Sequence, residues 1–265
     1  KDPSGSPRIL LNTKTRFENA EGEPFILGVA RDVTAQETLI AKLEKSNQDL
    51  DQFAYIASHD LKSPLNAIQK IASWLEEDCH DILPESSKEH LSLLKSRSQR
   101  MSRLLTDLLM YSRVGRYEYK DENVNLKDIT TDIFELLDAP ETFTCDGQDV
   151  ELDVPRIPLE IILRNLVSNA IKHHDKSKGH IKVTYEQTPT SHKIQVSDDG
   201  PGIPPELHKK ATEMFQTLKS RDQVEGSGMG LAMVKKIIEH YNGHLKINSD
   251  GKRGTIVKVL WPFAK

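Results

Sequence analysis

The rhythm of apolar residues along the chain changes twice. Residues 8 to 33 alternate as strands do: Arg8-Ile9-Leu10-Leu11-Asn12, a polar turn across Asn19 to Pro24, then Phe25-Ile26-Leu27-Gly28-Val29-Ala30. Period two predicts strands. Two or three of them cannot bury a core alone, so this segment reads as the end of a larger module. Asp32 or Thr34 is placed to cap a following helix. From there to about Leu75 the repeat lengthens to seven, with Ile40, Asn47, Ala54, Leu61 and Ile68 at a and Leu43, Leu50, Ala57 and Ile71 at d. Such a seam predicts a helix that pairs with another. Asn47 reads as a polar pin for the register of a parallel dimer. Pro64, at a d position, removes one backbone hydrogen bond and is expected to bend the helix just after His59. His59 itself falls at f, the position facing water, and Asp60 follows it. A neighbouring carboxylate sets an imidazole's tautomer and raises its nucleophilicity.

A turn near Asp78 to Glu85 leads into a second helix, with Leu91, Leu94, Met101, Leu105 and Leu108 at heptad spacing. An antiparallel hairpin of this kind, doubled by dimerisation, makes a four-helix bundle. Val114 to Asp121 is polar and aromatic and reads as a hinge between domains. Beyond it helix and strand patterns mix. Helices are predicted near Asn125 to Asp138, Pro158 to His174 and Gly230 to Tyr241. Strands are predicted within Phe143 to Val154, and at His180 to Glu186, Lys193 to Ser197, His244 to Ser249 and Thr255 to Trp261. The fold class is therefore α + α/β, a dimerising helical hairpin followed by an α/β sandwich with helices on one sheet face.

Composition narrows the partners. The formal net charge of −4 offers no electrostatic case for nucleic acid or an anionic membrane. No apolar run reaches the length of a membrane span, and no signal peptide is visible. Cys79 and Cys145 are the only cysteines, too few for a disulfide framework or a thiolate metal site, so a reducing cytoplasmic setting is expected. The opening Lys-Asp-Pro-Ser-Gly-Ser resembles a cut start, and an upstream sensory part, membrane-anchored or not, is expected to be missing.

Three elements downstream carry candidate chemistry. Asn165-Leu-Val-Ser-Asn169-Ala-Ile-Lys172 places both amides and the ammonium on one helix face. An amide oxygen suits a hard divalent cation, and a lysine can hold a phosphate as a point charge. An unpaired amide is costly in so apolar a run, which argues against a merely solvated face. Asp198-Asp199-Gly200-Pro201-Gly202-Ile203 follows a strand, and Gly226-Ser-Gly228-Met-Gly230-Leu231 opens a helix. A helix N-terminus behind glycines offers free N–H groups to an anion. The glycine spacing fails as a dinucleotide fingerprint, because the third glycine comes one residue early and no repeated βαβ unit precedes it. His173, His174 and His180 diverge too far for shared metal ligation and read as surface or phosphate-proximal residues.

Taken together and in order, these residues resemble the sensor histidine kinases. His59-Asp-Leu-Lys-Ser-Pro-Leu is similar to their H box, and the three later elements to their N box and two glycine boxes. Phe215 resembles the F box of the mobile lid, Gly254-Thr255 the closing glycine-threonine, and residues 8 to 33 the last strands of a PAS sensor domain. The resemblance implies a partial PAS remnant over 1–33, a signalling coiled coil over 34–58, a phosphoacceptor hairpin over 50–115 and an ATP-binding domain over 121–265.

It also implies roles. His59 would accept the γ-phosphoryl group of ATP, with Asp60 orienting the proton on its other nitrogen. Asn169 would ligate Mg²⁺, with Asn165, Lys172 and His173 near the phosphates. Asp198 would bond the adenine amino group, Ile203 would line the base pocket, and Gly200, Gly202 and Thr255 would shape it. Gly226, Gly228, Gly230 and Leu231 would close over the triphosphate. The phosphoryl group would pass to a receiver domain of a response regulator, and the chain would act as a homodimer. Ser63 stands where many members place Thr or Asn to aim water at the phosphorylated regulator. It keeps the hydroxyl but not the methyl that restricts its rotamer. Two other readings differ by single features. An ATPase of the same fold carries a Glu where Asn165 stands, because an amide cannot accept a proton from water. A non-catalytic scaffold predicts a damaged box, and none is damaged.

Overall fold

The computed structural model describes residues 7–18, 20–217 and 227–263, without the side chains of residues 44, 48, 50, 51, 53 and 54. The seam positions Leu50 and Ala54 and the glycine Gly226 therefore lie outside the described residues. The chain divides into two compact units, Lys1–Ala57 and Ser58–Lys265, and the division falls inside one long helix.

In the first unit, β1 (Leu10–Glu18) pairs antiparallel with β2 (Pro24–Asp32), from Leu10 opposite Asp32 to Glu18 opposite Pro24. Directly opposed residues share a face. Leu11, Phe17, Phe25, Leu27 and Val29 thus form one apolar side, and every residue of both strands is exposed. Helix α1 (Thr34–Cys79) follows at once. Its start is tied by the Asp32 carboxylate, which accepts from the Thr34 N–H at 3.0 Å and the Thr34 hydroxyl at 2.6 Å. Those bonds, with the Arg8 guanidinium at 2.9 Å, hold the Asp32 carboxyl below its ordinary pKa.

The second unit begins with the rest of α1, which continues as helix through Pro64. Helix α2 (Glu85–Arg113) returns antiparallel to it. Lys95 bonds Glu76 at 2.5 Å near the turn, and Lys62 reaches Thr106 at 3.5 Å far from it. The hairpin's internal contact does not use the heptad seam. Ser58, Leu65 and Ala72, seven apart and at e, are buried, while Leu61, Ile68 and Ile71 at a and d are exposed. Small residues at e let the two helices of one chain approach, and the apolar seam faces outward.

After α2 come β3 (Glu122–Asn125), α3 (Leu126–Leu136), β4 (Phe143–Gly147), β5 (Glu151–Val154) and α4 (Arg156–Lys172). The chain closes with β6 (Gly179–Gln187), β7 (Ser191–Asp198), the one-turn α5 (His208–Ala211), α6 (Gly230–His240), β8 (His244–Asn248) and β9 (Thr255–Pro262). The main sheet has the order β4-β6-β7-β9-β8, parallel only between β4 and β6. The predicted strand region 143–154 is two strands in different sheets. β5 pairs with β3, a strand the sequence pattern did not reveal.

Asn125 caps α3, its side-chain oxygen accepting from the N–H groups of Lys127 and Asp128 at 2.9 and 3.2 Å. Helix α4 begins earlier than predicted, at Arg156, because Pro158 sits in its first turn, where no intrahelical donor is lost. Leu159, Ile162, Leu163, Val167, Ile194, Val234, Ile238 and Val259 form the buried layer between α4, α6 and the sheet. α4 is apolar over most of its surface because it lies between the sheet and two neighbouring helices, α3 and α6.

Candidate active site

A cleft of about 600 Å³ opens beside α4 and α6. Asn165, Asn169, Lys172 and His173 line it from α4 and its C-terminal end. Asp198 lines it from the end of β7, Gly202 and Ile203 from the loop that follows, Gly228, Gly230 and Leu231 from the start of α6, and Thr255 from β9. The helical spacing that put 165, 169 and 172 on one face carries them to one wall. Asn165 Nδ2 donates to the Ile161 carbonyl at 2.7 Å, so the otherwise costly amide is anchored. Gly230 explains the early third glycine. A Cβ there would lie 3.1 Å from Asn165 Oδ1 and 3.3 Å from Asn169 Nδ2, so α6 starts pressed against the asparagine pair. No side chain caps the first turn of α6, and free N–H groups at a helix start are donors that suit an anion.

The opposite end is built around Asp198. Burial pushes its carboxyl above the ordinary pKa, against the lowering bond from the Gly200 N–H at 2.9 Å. Gly200 does not line the cleft: its carbonyl accepts the Gly254 N–H at 2.7 Å and braces the loop against β9. Gly202 has φ of +80°, and a Cβ there would meet Ser249 Oγ at 2.9 Å. Ser249, which sequence reasoning missed, accepts the Ile203 N–H at 3.0 Å and donates to the Gly254 carbonyl at 2.7 Å. Phe215 also stays off the cleft. Its backbone, at φ of +60°, sits 2.9 Å from where a Gly228 Cβ would be, and the next residues, Gln216 and Thr217, reach the cleft instead.

The histidines part company. His173 lines the cleft. His174, expected at the surface or near phosphate, has a side chain only 2% exposed, and its Nε2 bonds Asp199 Oδ1 at 3.0 Å. Asp199 also accepts the His180 N–H at 2.8 Å, and these bonds, the latter foremost, hold its carboxyl low. Arg253 grips Asp175 through two contacts of 2.8 and 2.9 Å beside them. His174 is thus a buried tie beneath the Asp198 loop, detectable in sequence only as a histidine closing an apolar helix. His180 bonds Thr144 at 2.9 Å. Among the described residues no three His, Cys, Asp or Glu side chains gather as a metal cluster. An amide oxygen from Asn169 beside Lys172 fits a Mg²⁺ ion held mainly by substrate phosphates and water.

His59, Asp60 and Ser63 are exposed on α1 and do not line the cleft. The His59 side chain is 73% exposed, and its Nδ1 lies 3.2 Å from Asp60 Oδ1, leaving Nε2 directed away from that partner. The unforeseen wall is α2, whose Ser102, Arg103, Thr106, Asp107 and Met110 line the cleft from one helix face. Helical spacing alone could not place that face against a domain some 60 residues later. Among the described residues no helix is long and apolar enough to cross a membrane.

Residues 49–116 match the His Kinase A (phospho-acceptor) domain, and residues 155–265 match the family described as histidine kinase-, DNA gyrase B-, and HSP90-like ATPase. Cyanobacterial phytochrome B from Nostoc sp. is 33% identical over 225 residues, covering 81% of this chain and 29% of the relative. The methanogenesis regulatory histidine kinase FilI of Methanothrix harundinacea is 32% identical over 231 residues, covering 84% and 26%. The chain thus spans less than a third of these relatives. A crystal structure of full-length ShkA in complex with AMPPNP shares the fold, with TM-score 0.59 and 21% identity over 81% of this chain and 46% of that one.

Proposed function

The chain belongs to the sensor histidine kinases, and we propose that it transfers the γ-phosphoryl group of ATP to its own His59. The observation that carries this reading is the pairing of an exposed imidazole, its Nδ1 engaged by Asp60, with a cleft whose two ends differ in character. The Asn165–Asn169–Lys172 wall and the bare N-terminus of α6 suit a polyphosphate, and the Asp198 carboxylate suits the amino group of adenine. Nε2 attacks the γ-phosphorus, the bond to the ADP oxygen breaks, and the proton on Nδ1 stays in the hydrogen bond to Asp60. Asn169 would hold Mg²⁺, which when bound would supply charge neutralisation at the phosphates. Lys172, Asn165 and His173 orient them, while Gly202, Ile203 and Thr255 shape the base pocket. Catalysis is then positioning and charge neutralisation.

His59 lies outside the cleft in the arrangement described, so transfer requires either movement of the ATP-binding domain or a partner's cleft. The outward seam at Leu61, Ile68 and Ile71 supports a homodimer as the working form. A receiver domain of a cytoplasmic response regulator is the expected acceptor of the phosphoryl group, and Ser63 offers the hydroxyl but not the rotamer-fixing methyl that its later hydrolysis would use. The rival reading, an ATP hydrolase of the same fold, lacks a general base at Asn165.

The test is incubation with γ-labelled ATP and Mg²⁺. Acid-labile, base-stable label is expected on the wild type and none on His59→Gln. Acid-stable label, or labelling of the Gln variant, overturns the assignment.

A further inference from the structure

The stalk and the ATP-binding domain meet at the C-terminal end of α2, and α6 carries the contact. Lys236 and His240, one turn apart on α6, meet Tyr111 and Gly115, spaced equally on the stalk side. Lys236 Nζ donates to the Tyr111 carbonyl at 2.6 Å and stands 4.1 Å from the centre of the Tyr111 ring. That carbonyl belongs to the last turn of α2, where helical donors run out and the helix dipole is negative, so an ammonium there both caps and neutralises. The Val114 N–H also reaches it, at a longer 3.4 Å.

The second contact is steric. Gly115 has φ of +89°, and a Cβ there would lie 2.9 Å from His240 Nδ1, so the backbone runs flat against the imidazole. Met110, Tyr111 and Val114 complete the joint by packing on the hydrophobic core of the ATP-binding domain. Lys236 is half-buried, and burial, then the nearby Arg116, lower its pKa, as expected of an ammonium given up by water to one strong acceptor.

The position of this joint gives it consequence. α6 starts at Gly230 inside the cleft and, six residues on, grips the stalk. In the same arrangement α2 forms a wall of the cleft and His59 is outside it. We propose that Lys236 is a positioning residue that latches the ATP-binding domain to the end of α2, holding the cleft against α2 and away from His59, so that each phosphoryl transfer requires the latch to open. This inference rests on the His59 reading. A contact that stabilises the non-transferring arrangement lowers the population of the competent one, and removing it raises the rate without touching the nucleotide's own ligands.

The test uses the full chain. Initial labelling rate at saturating Mg·ATP, KM for ATP, and amide hydrogen exchange across residues 114–121 are measured for wild type, Lys236→Met, Lys236→Arg and Gly115→Ala. Lys236→Met keeps the apolar stem but has no donor. It is expected to label about 10- to 150-fold faster, the range a charged hydrogen bond of this kind commands, with KM moved less than about twofold and faster hinge exchange. Lys236→Arg, which keeps cation and donors, stays near wild type. Gly115→Ala, which forces the hinge off His240, moves in the same direction as Lys236→Met. Labelling by Lys236→Met at or below the wild-type rate overturns the latch, and so does a raised KM, which would place Lys236 in the nucleotide site instead. If the wild type itself takes no acid-labile label, the kinase reading fails. The latch is then judged on exchange alone: faster exchange in Lys236→Met supports it, and unchanged exchange overturns it.

Discussion

The stalk and the ATP-binding domain bury their apolar residues in opposite ways. The domain closes on itself: Leu159, Ile162 and Leu163 of α4 are fully buried against α6 and the sheet. The stalk keeps Leu61, Ile68, Ile71 and Trp74 in solvent and, among the described residues, buries Ser58, Leu65, Ala72 and Ser98 in its own hairpin. A core made within one chain is independent of concentration, whereas a seam completed by a second copy is stable only where that copy is present. The contrast suits the two tasks. The nucleotide cleft needs rigid walls held by a local core, and the phosphoacceptor needs an exposed face on a helix whose stability comes from elsewhere.

The strongest way to break this contrast is a charge in the seam. Ile68→Asp would bury one carboxylate per chain at the proposed dimer contact, at a cost of about 3–5 kcal/mol. Sedimentation is expected to show monomer at micromolar concentration, while the ATP-binding domain melts as before. If the variant stays dimeric, the outward stripe is not the interface.

The converse change is Leu163→Ala, which opens a cavity in the self-contained core and is expected to cost about 2–5 kcal/mol. The lower transition in thermal unfolding should belong to the ATP-binding domain, with the stalk's association intact. A smaller effect is expected at the cleft. Gly230→Ala pushes a methyl onto the asparagine pair and should weaken Mg·ATP binding roughly tenfold, about 1.4 kcal/mol, with little change in melting. Titration calorimetry decides it, and unchanged affinity would remove Gly230 from the site.

The mildest distinctions come from pH. Asp199 has a depressed pKa in the folded state, so its bonds stabilise the domain above the unfolded carboxyl value near about 3.9 and fade as pH falls through the lower folded value. Melting below about pH 4 should therefore soften in the wild type and less in His174→Ala, which has already lost one partner of Asp199. Asp198 moves the other way: its raised pKa means that the carboxylate proposed to meet adenine is lost at a higher pH than an ordinary aspartate. ATP affinity should decline on acidification before the fold does.

Much of this was legible in residue order. The outward face at Leu61, Ile68 and Ile71, the exposed His59 beside Asp60, and the gathering of Asn165, Asn169 and Lys172 on one wall all follow from residue order, because a helix converts spacing directly into direction. β3 escaped notice because four residues, Glu122 to Asn125, carry too short an alternation to register, and its partner β5 lies almost 30 residues away. The e stripe of Ser58 and Ala72 escaped because small residues carry almost no hydrophobic signal. Gly200 and Phe215 were assigned to the cleft with their neighbours, but backbone turning at Asp198 and Phe215 directs them elsewhere.

Local order along the chain thus determined which elements form, which helix face is wet and which side chains carry charge, since each depends on neighbours within a turn or a pleat. Only the tertiary structure decided that Ser249 ties the loop after β7, that His174 is a buried tie, that α2 walls the cleft and that Lys236 caps the stalk. Those are contacts between residues dozens of positions apart, and their strength comes from excluding water at a junction that does not exist until the core has closed.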